Sequence, residues 1–368
     1  MRCLFCLLIL SLSCILPSGA SAEELRWPLD IEISPSSSFM EYRGLRFHGG
    51  VDLRTRRAVG FPVFAIADGF VSRLKIQHRG FGYALYVDHP ALKLRSVFGH
   101  LDDYAEPMAA WAAKKLQKMG KRYGIDDQFG PETFPVKKGQ LIAYTGETGL
   151  GPPHLHFELR TLNDEPLSPT ALGYVIPDRI DPDCTGVWIE PLSHGTMING
   201  GFLPCRIPLT KSEGNFWSWD SPIRIQGRAG LAVGVLDRAE GDNRMSAAEI
   251  RLSLDGKEVF SRLFHRYSYD ENRQAAYVFD AVRSAAPGLG YVVWMFKWPF
   301  ENMMLSREHS AWAGVLDESG AGKRLSISIK DFSGREAQVE GPVDVTGIPR
   351  RTTPTSDRFL AHDATTSF

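Results

Sequence analysis

The stretch Gly151-Pro152-Pro153-His154-Leu155-His156-Phe157-Glu158-Leu159-Arg160 decides how this chain is read. From His154 onward, polar and apolar residues alternate with the period of two that a β-strand imposes on its side chains. His154, His156 and Glu158 therefore share one face, and Leu155, Phe157 and Leu159 share the other. One face is suited to burial and the other to chemistry. Taken by itself the pair is weak evidence, because ten histidines in 368 residues produce an H-x-H by chance roughly one time in four.

Working outward, Val63 to Ile66, Gly69 to Val71, Tyr83 to Val87 and Ser96 to Phe98 are short β-rich runs separated by glycine and proline. Between Asp102 and Gly124 the period becomes helical. Tyr104, Met108, Trp111, Ala112, Leu116 and Met119 form one stripe, with Pro107 suited to a first turn. One inserted helix in a β domain is expected, packing on the sheet or walling a cleft. Four prolines between Pro166 and Asp183 mark a connection, with the linker proper at residues 171–183. Beyond it, Ile250, Leu252 and Leu254 alternate with Arg251 and Ser253 and lead into the hairpin signal Asp255-Gly256. Leu325, Ile327 and Ile329 repeat the pattern. The expected fold class is mainly β: an antiparallel β-sheet core with one inserted helix, then an immunoglobulin-like β-sandwich domain over 184–346. The polar tail 347–368 is expected to be disordered.

The N-terminus carries Arg2, an apolar stretch from Leu4 to Leu16, and Ala20-Ser21-Ala22, the pattern of an export signal cleaved after Ala22. The apolar run is short of the roughly 20 residues that span a bilayer. No stable membrane insertion is expected after cleavage, with a lipid anchor on Cys14 as the alternative. The implied location is outside the cytoplasm, in the periplasm or cell envelope. A formal net charge of -1 without any Lys/Arg run excludes a dedicated nucleic-acid binder. Of five cysteines, only Cys184 and Cys205 lie beyond the signal. They are enough for one disulfide in an oxidising compartment and too few for a four-cysteine zinc site.

A second element is His48-Gly49-Gly50-Val51-Asp52. A fully extended strand would hold the His48 and Asp52 side chains about 13 Å apart, so a shared metal requires a bend, which two glycines permit. Alone, the pentapeptide reads equally as a polar turn. His100, in Val97-Phe98-Gly99-His100-Leu101, ends a strand-like run that could face the same cleft.

Together and in order, these elements resemble the lysostaphin and LytM type of zinc metallopeptidases, which cleave peptidoglycan peptides. The resemblance spans residues 26–170 and rests on Phe47-His48-Gly49-Gly50-Val51-Asp52-Leu53, Phe98-Gly99-His100-Leu101 and the His154-Leu155-His156 stretch. Pro62-Val63-Phe64-Ala65, Ala67-Asp68-Gly69, Gly82-Tyr83, Val87-Asp88-His89, Val136-Lys137-Lys138-Gly139-Gln140 and Tyr144-Thr145-Gly146 are further landmarks. It implies a metallopeptidase domain over 23–170 with Zn2+ held by His48, Asp52 and His156. The same resemblance makes His154 the general base and His100 its partner or an oxyanion donor, and offers Tyr42 as a further oxyanion stabiliser. Glu158 is expected to be structural, and His89 to close a strand away from the metal. Phe39-Met40 replaces the family's frequent Phe-Gly, Phe98-Gly99 replaces Tyr-Ala, and the segment from Asp102 to Gly139 is longer than usual.

The implied partners are peptidoglycan peptide stems, with an envelope protein bound through the C-terminal domain as a further option. Two other readings stay open at this level. One is a catalytically inactive relative that binds and activates a cell-wall amidase. The other is a binding protein led by the C-terminal domain, with Trp217, Trp219, Trp294 and Trp298 as sugar platforms. The bond cut, a glycine bridge or a direct D-Ala to diaminopimelate cross-link, is not decided by the sequence.

Overall fold

The computed structural model describes residues 25–239, 243–303, 305, 313–317 and 320–347. The expected export signal over 1–22 lies outside the described residues, as does the expected tail beyond residue 347.

Strands β1 (Pro35–Ser37), β2 (Val51–Arg54), β3 (Pro62–Phe64), β4 (Gly69–Ile76), β5 (Tyr83–His89) and β6 (Leu94–Tyr104) come first. After helix α1 (Met108–Met119) follow β7 (Ile125–Gln128), β8 (Pro135–Val136), β9 (Leu141–Thr145), β10 (His154–Thr161) and β11 (Pro166–Leu167). All belong to one antiparallel sheet whose main order is β1-β2-β10-β6-β5-β4-β7. The alternating stretch is thus β10, and it sits inside the sheet with a neighbour on each side. Its apolar face, Leu155, Phe157 and Leu159, is fully buried. Across the ladders His156 faces Asp52 on β2 and Gly99 on β6, which brings three distant sequence elements to one level of the sheet.

Helix α1 follows its apolar stripe: Met108 and Ala112 are buried, and Trp111 meets Phe129 edge to face at 4.9 Å. Gly120 ends it with φ +61, its N–H reaching the Gln117 and Leu116 carbonyls. The helix packs on the sheet and does not wall the cleft described below.

The connection after residue 170 is docked along the first half, where Tyr174 packs on Trp27 at 4.6 Å and on Phe157 at 6.0 Å. Beyond it lie a four-stranded antiparallel sheet (Cys205–Ile207, Asp183–Pro191, Ala229–Leu236, Tyr291–Trp294) and an eight-stranded sheet centred on Gly320–Lys330 and Glu336–Thr346. Asp255 and Gly256, both at positive φ, turn the hairpin as their sequence implied. Two strands of this half depart from antiparallel pairing: Phe216–Ser218 and Ile223–Gln226 both run parallel to Glu336–Thr346. Trp217 and Trp219 are buried core residues rather than a sugar platform. Cys184 and Cys205 are free thiols. Cys205 pairs with Ile189, five residues along the strand from Cys184, so the two lie about 16 Å apart along the sheet, far beyond disulfide reach.

One continuous hydrophobic core runs through both halves. Tyr267 packs on Phe39 at 6.0 Å and on Phe47 at 5.1 Å, and Phe279 packs on Phe47 at 6.2 Å and on Tyr42 at 5.6 Å. Backbone polar groups join across the same contact: Ser246 N–H donates to Ser38 Oγ at 2.8 Å and Phe47 N–H to Asn272 Oδ1 at 2.7 Å. Phe279→Ala is expected to destabilise the protein by about 3–5 kcal/mol, as buried Phe truncations do. Denaturant unfolding should remain one transition; two separate transitions would show that the halves fold independently.

Candidate metal centre

His48 and Asp52 meet because the chain bends before β2 begins at Val51. The reason for the two glycines differs from the one expected. Neither has a positive φ; both are needed because the bend lies flat against β10. A Cβ on Gly50 would stand 2.2 Å from the Phe157 carbonyl oxygen, and one on Gly49 would stand 2.7 Å from Glu158 Oε1. Only glycine admits this approach.

His48 Nε2 lies 3.1 Å from Asp52 Oδ1 and 3.1 Å from His156 Nδ1, and the last two atoms are 2.8 Å apart. The outer nitrogen of each imidazole is already committed. His48 Nδ1 donates to the Ser38 carbonyl at 2.8 Å, and His156 Nε2 donates to Glu158 Oε1 at 2.7 Å. A carbonyl only accepts, so the His48 proton is fixed outward and its inner nitrogen presents a lone pair. Two nitrogen lone pairs and a carboxylate oxygen thus converge in a buried place, an arrangement that requires a cation or at least a proton among them. Burial opposes charge on His156, yet the Asp52 and Glu158 carboxylates against its two nitrogens prevail and push it up to about 9. Burial would likewise raise Asp52, but His48 and His156 hold it well below the usual carboxylate range. Ligand atoms each about 2.0–2.2 Å from a tetrahedral metal stand about 3.3 Å apart. These three therefore fit a metal closely.

His100 and His154 stand in the same cleft, their ring centroids 4.4 Å apart. His154 Nδ1 donates to the Pro152 carbonyl at 2.6 Å, leaving Nε2 facing Asp52 Oδ1 at 3.6 Å. His100 does not end its strand, which runs on to Tyr104. Instead β6 takes three steps from Phe98 to Leu101 while β5 takes two, a bulge in which His100 adopts φ +60 and turns into the cleft. Its Nδ1 donates to the Thr148 carbonyl at 2.8 Å. Burial, with His156 and His154 beside it, holds His100 down to about 4. His100 thus lies beside His154 with its Nδ1 proton committed to the Thr148 carbonyl.

Tyr42 does not line the cleft; its ring is taken up by Phe279. His89 closes β5 away from the site, between the Asp68 carbonyl and Ser96 Oγ. Met40 sits at φ +57, which accounts for the glycine frequent there among the proteins this chain resembles.

Sequence reasoning missed the outer partners. Glu158 accepts from Arg160 Nε at 2.6 Å and from Tyr269 Oη at 3.1 Å, and Arg160 with His156 draws the buried carboxyl down to about 2 against the effect of burial. Phe81 stacks on His156 at 4.8 Å. Arg43 reaches Asp52 Oδ2 at 3.4 Å and Glu41 Oε2 at 3.2 Å. No spacing rule could have found Tyr269, more than a hundred residues from Glu158. The cleft, of about 970 Å³, extends from the three ligands past the turn Thr55–Ala58. In that turn Arg56 (φ +53) and Arg57 (φ +60) occupy the two positive-φ positions that Asn-Gly prefers, at a cost of about 1–2 kcal/mol each.

No family model matches the chain, and no curated protein matches it. Solved structures that match include the catalytic domain of the prophage-encoded M23 protein EnpA from Enterococcus faecalis, at 22% identity over 41% of this chain and 98% of that one, TM-score 0.29. Csd3 from Helicobacter pylori matches at 26% identity over 40% of this chain and 33% of that one, TM-score 0.27. The catalytic domain of lysostaphin from Staphylococcus simulans matches at 23% identity over 38% and 90%, TM-score 0.27.

His48→Ala, Asp52→Ala and His156→Ala should each abolish stoichiometric metal binding, read by competition with a chromophoric chelator. Glu158→Gln and Tyr269→Phe should weaken it by about 10- to 100-fold, as losses of outer partners do. Unchanged affinity in the last two would reduce Tyr269 to a packing residue.

Proposed function

We propose that this chain, which carries the motif set of the lysostaphin and LytM type of metallopeptidases, is a zinc-dependent endopeptidase hydrolysing peptide cross-links of bacterial peptidoglycan. The observation that supports it most is the convergence of His48 Nε2, Asp52 Oδ1 and His156 Nδ1 beside two histidines whose Nδ1 protons are fixed. Two imidazoles and one carboxylate form a donor set that zinc accepts, with a coordination position left open.

Zinc, when bound there, supplies Lewis acidity toward a carbonyl oxygen and lowers the pKa of water to about 7. The remaining work falls to the chain's own groups. His154 acts as general base at Nε2, taking a proton from the attacking water and returning it to the leaving amine. The Pro152 carbonyl keeps the ring in the tautomer this requires. His100, packed against His154 with its own Nδ1 proton held by Thr148, steadies that ring. Phe81 covers one face of His156 and keeps water from that ligand. A cell-wall substrate implies an exported chain, in the periplasm or cell envelope, in keeping with the signal expected at residues 1–22.

The mature zinc-loaded protein is expected to release new fragments from purified peptidoglycan, identified by mass spectrometry, and to stop on chelation. His154→Ala should keep the metal and lose about 10²- to 10⁴-fold in rate. Equal digestion by the wild type and by His156→Ala would sink the reading.

A further inference from the structure

Five arginines, Arg43, Arg46, Arg54, Arg56 and Arg57, line the cleft that holds the three ligands. The carboxylates lining it, Asp52 and Glu158, are both engaged: Asp52 by His48, His156 and Arg43, and Glu158 by His156, Arg160 and Tyr269. Arg43 is held by Glu41, Asp52 and Ser37, and Arg54 also has protein partners. Arg46, Arg56 and Arg57 are exposed and, among the described residues, none of their guanidinium groups has a hydrogen-bond or ion-pair partner. Positive charge therefore faces the cleft without a protein counter-ion, in a chain whose net charge is -1.

The backbone that carries two of these side chains is fixed by the fold. Strand β2 carries Asp52 and ends at Arg54, which pairs with His154 across the sheet, and the turn Thr55–Ala58 follows at once. Thr55 Oγ1 to the Ala58 carbonyl (2.7 Å) and Ala58 N–H to the Thr55 carbonyl (2.9 Å) close that turn. Arg56 stands four positions beyond Asp52 in the chain, at most about 13 Å from it. A peptide bound with its scissile bond at the ligands and running past His154 thus meets these guanidinium groups within a few residues of that bond. Strained backbone kept at such a spot points to a use for the side chains it presents.

We infer that the Arg56-Arg57 turn, with Arg46 in the same cleft, is a subsite for a free carboxylate on the substrate peptide. This deepens the peptidase reading and rests on it: the enzyme discriminates for cross-linked stems that bear side-chain carboxylates and against uncharged glycine bridges. Guanidinium groups hold carboxylates by charge-assisted and often paired hydrogen bonds, which a neutral amide does not match.

The test uses the mature protein and two synthetic cross-linked peptides, identical except that one carries free side-chain carboxylates and the other the corresponding primary amides. Binding is measured on the metal-free protein by calorimetry, and cleavage on the zinc-loaded protein. The acid peptide should bind at least about 10-fold more tightly at low salt, with the advantage shrinking as salt is added. In Arg56→Asn/Arg57→Gly that advantage should vanish while Tm rises, because Asn-Gly suits the positive φ values. Arg56→Lys/Arg57→Lys should retain part of it. Equal affinity for acid and amide, or a preference that persists in Arg56→Asn/Arg57→Gly, overturns the subsite. Cleavage of neither peptide by the zinc-loaded protein overturns the peptidase reading instead, and the binding comparison still decides the subsite.

Discussion

Three acceptor atoms, on His48, Asp52 and His156, are held within 3.1 Å of one another in a buried place. Without a cation or a proton among them they would repel, so the surrounding structure must hold them together. It does so from behind. Ser38 anchors the outer nitrogen of His48 and is itself held by the Ser246 N–H. Glu158 anchors the outer nitrogen of His156 and is held by Arg160 and Tyr269. Both chains of contact end in the second half of the protein. That half is therefore part of the site's support, and the shared aromatic contact around Phe47, Tyr267 and Phe279 joins it to the first half.

Holding ligands this way places unusual demands on the backbone. Gly49 and Gly50 are pressed onto β10, His100 is turned inward by a bulge, and Met40, His100, Arg56 and Arg57 all adopt left-handed conformations near the cleft. Each of the last four is unfavourable by about 1–2 kcal/mol. The continuous core behind the sheet offsets this.

Much of this was legible in the sequence. The period of two from His154 to Leu159 shows a strand with one chemical face, the helical stripe from Met108 to Met119 shows one helix, and Asp255-Gly256 shows a hairpin. These are local properties, set by side-chain direction along a strand or helix and by the φ that a turn demands. The order of His48, Asp52, His100, His154 and His156 carried the resemblance because motif spacing survives in sequence. Tyr42 was misread because its place near His48 says nothing about which way its ring points, and Phe279, far along the chain, decides that.

The sequence by itself determined which residue types could serve as ligands and bases and which face of β10 they share. Tertiary structure alone decided that His48 and Asp52 lie beside His156, since that depends on two strands meeting in one register with glycine at the crossing. It alone showed that Tyr269 supports Glu158, that Cys184 and Cys205 stand apart, and that unpaired arginines share a cleft with the metal ligands. Such pairings join residues far apart in the chain. Local preference has no range over that distance, so packing and register set them.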